Sequence, residues 1–122
     1  MDTELAVHIG DDELLALNDD AEALFLAEDR WACQNSLLRF TADAWPIVEP
    51  RTPFIPNWHI ARLCRLLEKV YSKKIHRLIL NVPPGTMKSL LVDVFFPCWA
   101  WARDPRRRFL TASYGQHLTV RD

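Results

Sequence analysis

The spacing of apolar residues predicts helices over the first part of the chain. Between residues 11 and 40 apolar side chains recur at intervals of three and four, which is typical of helix. The polar run 18–20 predicts a break, and a third segment is expected to begin at Asp29 or Arg30. Four prolines between residues 46 and 56 forbid a long helix there and indicate a boundary.

The same period recurs from Trp58 to Tyr71 and predicts an amphipathic helix. Its apolar face is expected to consist of Ile60, Leu63, Cys64, Leu67 and Val70. Its water-facing side is expected to consist of Arg62, Arg65, Glu68 and Lys69.

Two strands are predicted after this helix, at residues 78–82 and 109–113. The first is apolar enough for the interior of a parallel sheet. Between them a helix is expected from Lys88, with a kink or restart at Pro97. Strand, helix and strand at this spacing predict a right-handed parallel βαβ unit, and a further helix is expected after Gly115.

We therefore expect an α/β fold, namely the first βαβ unit of a P-loop NTPase-like parallel sheet, preceded by an acidic helical segment. The predicted division is an N-terminal segment over residues 1–50 and the start of an ATPase domain over residues 51–122.

Charge is distributed unevenly over the 122 residues. Residues 1–50 hold 12 acidic and 2 basic side chains, whereas residues 51–122 hold 4 acidic and 13 basic ones. A basic C-terminal part suits phosphate-rich partners such as nucleotide and DNA. For any single charge, a solvated surface is the simpler interpretation.

Cysteine and histidine usage argues against a disulfide framework or a zinc site. The three cysteines are widely spaced, their number is odd, and the four histidines show no ligand spacing. Reduced, mostly buried thiols in a cytosolic protein are expected. The acidic N-terminus does not resemble a secretory signal, and the apolar run 89–102, which Asp93 and Pro97 interrupt, is too short to span a bilayer.

The candidate chemistry lies where the first predicted strand meets the following helix. Residues 78–89 run from an apolar strand through Pro83, Pro84 and Gly85 to a Lys-Ser pair, the order of a phosphate-binding P-loop. Both glycine positions of the pattern G-x-x-x-x-G-K-[ST] hold other residues, Val82 and Met87.

The prolines have no N–H, so a phosphate cradle must use later backbone amides. The candidate amides are those of Gly85, Thr86, Met87, Lys88, Ser89 and Leu90. Lys88 would reach the outer phosphates and the Ser89 hydroxyl would bind Mg²⁺. From the pattern alone, an incidental surface lysine at a strand–turn–helix corner is an equally good interpretation.

Residues 81–91, with the aromatic run 95–101 after them, resemble the ATPase motor of tailed-phage terminase large subunits, in the branch that carries P-P-G-T-M-K-S. Residues 54–60 and 109–122 agree with this resemblance less specifically. It implies ATP and Mg²⁺ as cofactors, with Lys88 as the catalytic residue that neutralises β/γ-phosphate charge. It also implies that His59 contacts the nucleotide base, although packing of His59 beside Trp58 is as good an interpretation.

The resemblance implies a motor that packages double-stranded DNA into procapsids in the bacterial host cytoplasm. Its partners would be the portal, the small terminase subunit and further copies in a homo-oligomeric ring. The acid pair that orients the attacking water and the metal-dependent endonuclease domain have no counterpart in the sequence. We therefore expect a fragment or truncated product that does not hydrolyse ATP. The alternatives are another P-loop enzyme, such as a helicase-like ATPase or a small-molecule kinase, and an inactive prophage remnant.

Overall fold

The computed structural model describes residues 11–112, with the side chains of Asp19 and of residues 21–112. Four α-helices are present in this range: α1 (Asp11–Asn35), α2 (Leu37–Val48), α3 (Trp58–Tyr71) and α4 (Phe96–Arg103). A π-helical segment, Leu90–Phe95, directly precedes α4. Contacts divide the chain into two units, the first ending at Trp31 and the second beginning at Ala32.

The helix α1 runs without interruption through residues 18–20 and past Asp29 and Arg30, so the predicted breaks are wrong. Alanine and leucine, which favour helix, follow the polar run closely and outweigh the few tenths of a kcal/mol that each Asn or Asp costs. In the first unit, Leu24, Phe25, Leu26 and Trp31 are largely exposed.

The helix α2 is capped at its start. Ser36 adopts an extended conformation and its hydroxyl accepts a hydrogen bond from the Arg39 amide at 3.2 Å, which starts α2. Glu68 of α3 accepts a second bond, from the Leu37 amide at 2.8 Å. Glu68 was expected to face water, and it instead ties α3 to the N-terminus of α2, where a carboxylate is favourable.

The proline-rich connection is held against the core by an aromatic cluster. The helix α2 continues two residues past Pro46, to Val48. The Trp45 indole donates to the Thr52 carbonyl at 2.6 Å, and its ring lies 5.8 Å from Phe54 and 6.2 Å from Phe95.

The helix α3 has the predicted bounds and, apart from Glu68, the predicted orientation. Asn57 caps it by accepting from the Trp58 amide at 2.7 Å. Four of the five predicted apolar positions are buried, and the fifth, Val70, packs against the core while partly exposed. Beyond its C-terminus, Lys73 has a positive φ of 59° and the Lys74 amide donates to the Lys69 carbonyl at 2.9 Å. This is a Schellman ending with lysine in the position that glycine usually occupies.

The predicted parallel sheet is wrong, because no strand is present among residues 11–112, which are mainly helical. Along residues 78–82 burial still alternates: Leu78 and Leu80 pack against the core, whereas Ile79 is 93% exposed. Alternating burial does not make a strand unless the backbone pairs with a neighbour.

The second predicted strand is also absent over its described part, residues 109–112. Phe109 packs edge-on against Phe96 and Trp101, and Leu110 is 98% exposed. The chain there covers helical side chains and does not join a sheet, so the expected βαβ unit is replaced by packed helices. Residue 113 and the helix expected after Gly115 lie outside the described residues.

Residues 88–103 are helical throughout, with one irregularity ahead of Pro97. The Phe96 amide donates to the Leu91 carbonyl, five residues back, instead of four. Because proline lacks an N–H and its ring collides with the carbonyl four residues earlier, a widened turn accommodates it. The interruption expected at Pro97 is therefore confirmed, as a π-helical segment.

The core of the second unit lies between α2, α3 and residues 90–103. Its buried apolar members are Leu37, Trp45, Ile60, Leu63, Cys64, Leu67, Leu91, Phe95, Phe96, Trp99 and Ala100. Within the described range no helix has the length and apolarity needed to cross a membrane.

Candidate functional site

The loop before residue 88 contains two residues in the left-handed region. Gly85 has φ +79° and Met87 has φ +63°. Glycine adopts this conformation freely, whereas for a side chain such as that of methionine it costs about 1–2 kcal/mol. Met87 stands where the P-loop pattern has its second glycine, and its positive φ is one that glycine adopts without strain.

A side-chain hydrogen bond braces the same loop. The Thr86 hydroxyl donates to the Pro83 carbonyl at 2.7 Å. Gly85 is exposed, and a Cβ placed on it would meet no atom within 4 Å. The exposed side of the turn is therefore open to a ligand. Glycine is favoured at position 85 because of its positive φ, since a Cβ at that position would meet no neighbouring atom.

The helix after the loop begins at Lys88. The Leu91 amide donates to the Met87 carbonyl at 3.0 Å, so the preceding amides of Lys88, Ser89 and Leu90 come before the first intrahelical donor. The positive end of the helix dipole lies at these amides. A left-handed residue followed by helical ones turns successive N–H groups into one concavity, the arrangement that binds anions.

Lys88 and Ser89 are both half-buried at this helix start. The ion pairs found among residues 11–112 involve Arg39, Arg106 and Arg107, and none involves Lys88. Ser89 makes no capping hydrogen bond with its side chain. Both residues lie in the first turn of the helix, next in sequence to the loop amides, where an ammonium and a hydroxyl suit a phosphate and its metal.

A metal site made by side chains alone is absent from the described part of the chain. No group of three or more His, Cys, Asp or Glu residues there could hold a metal ion. Ser89 could contribute one oxygen to a Mg²⁺ ion whose other ligands are phosphate oxygens and water.

His59 lies in the first turn of α3, and its ring meets the Trp58 ring edge-on with 6.0 Å between centroids. This is the packing arrangement that the sequence left open. The contact of His59 with a nucleotide base stays a prediction.

The basic run 106–108 is divided between structural and exposed arginines. Arg107 lies over the Tyr71 ring at 4.4 Å and pairs with Asp104 at 3.7 Å, whereas Arg106 and Arg108 are exposed. The Arg106 backbone and guanidinium donate hydrogen bonds to Asp104, which holds the pKa of that carboxyl below its ordinary value. Sequence reasoning missed this cluster because its partner, Tyr71, is 36 residues away.

The cysteines do not share one environment, so the expectation of mostly buried thiols holds for Cys64 alone. Cys33 is partly buried and its thiol donates a hydrogen bond to Asp43 at 3.1 Å, whereas Cys98 is exposed. Burial, reinforced by the charge of Glu68, raises the pKa of the Cys64 thiol to about 12. Cys64 is therefore a protonated core residue and not a nucleophile.

The chain was compared with protein-family models, with curated proteins and with solved structures, and none of these comparisons gave a match.

Proposed function

We propose that residues 85–90 bind the phosphates of ATP together with Mg²⁺. The observation that carries the proposal is the positive φ of Met87 directly before a helix that begins with Lys88 and Ser89. In this conformation the N–H groups of the loop and of the helix start point toward one place, where they can bind an anion. Lys88, the first residue of the helix, adds a positive charge. The Ser89 hydroxyl would then serve as the protein ligand of Mg²⁺.

The resemblance of residues 81–91 extends the proposal to a class of protein. We infer that the chain is an N-terminal part of a terminase large subunit, the ATP-driven motor that packages double-stranded viral DNA. On this proposal the portal, the small terminase subunit and further copies in a ring are its partners, in the bacterial cytoplasm. The endonuclease activity would belong to another part of such a protein.

The site supports binding better than turnover. Hydrolysis requires an in-line water and a carboxylate that helps to place it or the metal. The described residues include no acidic cluster of that kind. We therefore expect no ATPase activity above that of a Lys88→Ala control, which is also what an inactive prophage remnant would show.

Isothermal titration calorimetry with Mg²⁺-ATP tests the proposal. Lys88→Ala should weaken binding by tenfold or more, with its far-UV circular dichroism and melting temperature unchanged. Lys74→Ala is the matched control, because it removes an exposed lysine from the turn after α3 and should bind like the wild type. Equal affinities for the two variants would refute the phosphate site.

Clear turnover that Lys88→Ala abolishes would show that the site is completed within these 122 residues. Turnover coupled to phosphorylation of a small molecule, or to strand separation, would favour the kinase or helicase alternative.

A further inference from the structure

An exposed aromatic residue with acidic neighbours lies on α1. Phe25 is 68% exposed, and Glu22 and Glu28 lie three residues before and after it, so both flank its ring on the helix surface. The helix as a whole carries eight acidic residues and one basic residue. Leu24 and Leu26, on either side of Phe25 in the sequence, are also largely exposed. Neighbouring exposed apolar side chains with a polar rim are typical of a binding surface.

A surface of opposite charge lies on α3, on the side away from the core. Trp58, at its start, is 76% exposed. A hollow of about 530 Å³ lies on this side and contains three basic residues and no acidic one. Its lining consists of Trp58, Ala61, Arg62, Arg65, Leu66 and Lys69.

We propose that this hollow on α3 receives Phe25 from the α1 helix of a second copy of the chain, with Glu22 and Glu28 placed against Arg62 and Arg65. Each surface has an apolar centre and a charged rim, which is the usual anatomy of a protein interface. The two rims have opposite signs, so the surfaces attract each other.

Self-pairing of the α1 surface does not meet this requirement, since it would bring Glu22 and Glu28 against the same carboxylates of the other copy. Duplex DNA could occupy the basic rim of α3, but it would leave Phe25 uncovered. A second copy accounts for both surfaces. Because the two surfaces differ, the contact is heterologous. The rotation between neighbouring copies then decides whether they form a closed ring, and of how many copies, or an open filament.

Charge reversal tests the proposal on the full 122-residue chain. Sedimentation velocity should show concentration-dependent association for the wild type. Glu22→Lys/Glu28→Lys and Arg62→Glu/Arg65→Glu should each weaken that association by at least tenfold. An equimolar mixture of the two variants should restore it, because every reversed rim then meets an oppositely charged rim.

Arg51→Glu/Arg108→Glu is the matched control for net charge, since both arginines are exposed and lie outside the two surfaces, and it should associate like the wild type. A wild-type chain that stays monomeric at every concentration overturns the proposal. So does an unrestored mixture, or an α3 variant that loses only DNA binding while its self-association is unchanged.

Discussion

Replacing Met87 isolates the backbone conformation on which the proposed site depends. Met87 has φ +63° and packs partly against the core, so a substitution changes both strain and burial. Met87→Ala removes the burial and keeps the strain. Met87→Gly removes both, and comparison of the two variants therefore reports on the backbone alone.

The magnitudes follow from these two terms. Loss of the partly buried side chain costs about 1–2 kcal/mol in either variant, somewhat less than full burial of a methionine provides. Glycine relieves about 1–2 kcal/mol of left-handed strain, against about 0.5–1 kcal/mol of additional entropy in the unfolded chain. Met87→Gly should therefore be more stable than Met87→Ala by about 0.5–1 kcal/mol.

Urea denaturation followed by far-UV circular dichroism measures the difference. Lys69→Ala and Lys69→Gly are the control pair, because Lys69 is exposed in the regular helix α3. There the alanine variant should be more stable than the glycine variant by about 1 kcal/mol. In addition, Met87→Gly should bind Mg²⁺-ATP at least as well as the wild type. If Met87→Ala proved more stable than Met87→Gly, as is expected of the pair at Lys69, the left-handed conformation of Met87 would be refuted. A loss of about 2–5 kcal/mol in Met87→Gly would show that Met87 is a core residue whose removal leaves a cavity.

Three further predictions concern the scaffold of the second unit. Glu68→Ala should lower the free energy of unfolding by about 1–2 kcal/mol because the Leu37 amide loses its acceptor, and Glu68→Gln should recover most of this in the same urea titration. Lys73→Gly should raise the melting temperature, since glycine fits the positive φ after α3 at no steric cost; a lower melting temperature would contradict that geometry. The lowered pKa of Asp104 stabilises the fold above the unfolded value of about 3.9, and this contribution is lost as the pH falls through the folded value. The wild type should therefore melt above Asp104→Asn at neutral pH, and the two should converge in acid; a difference independent of pH would exclude the ionised carboxyl as the cause.

The helix α3 was predictable because its signals are local. The period of its apolar residues and the capping asparagine before it all lie within fifteen consecutive residues. The helix in the structure has the bounds that the period predicts. The helical start at Lys88 and the irregularity ahead of Pro97 were predictable for the same reason.

The prediction of a sheet was wrong because a strand depends on a partner elsewhere in the chain, which local sequence does not reveal. Residues 78–82 show the alternating burial of a strand, yet no neighbour pairs with them among the described residues. Nor does sequence spacing reveal that Glu68 would cap α2, 31 positions away. At the candidate site, sequence supplied Gly85, Lys88 and Ser89, but the conformation of Met87 emerged only from the folded backbone.

The central claim is that the backbone amides of residues 85–90 bind phosphate, and nuclear magnetic resonance measures those amides directly. Titration of ¹⁵N-labelled chain with Mg²⁺-ATP should shift the amide signals of Gly85, Thr86, Met87, Lys88, Ser89 and Leu90 most strongly and saturably. Lys88→Ala should diminish these shifts, whereas Lys74→Ala should leave them as they are. Shifts confined to other parts of the chain, or none at millimolar nucleotide, would contradict the account.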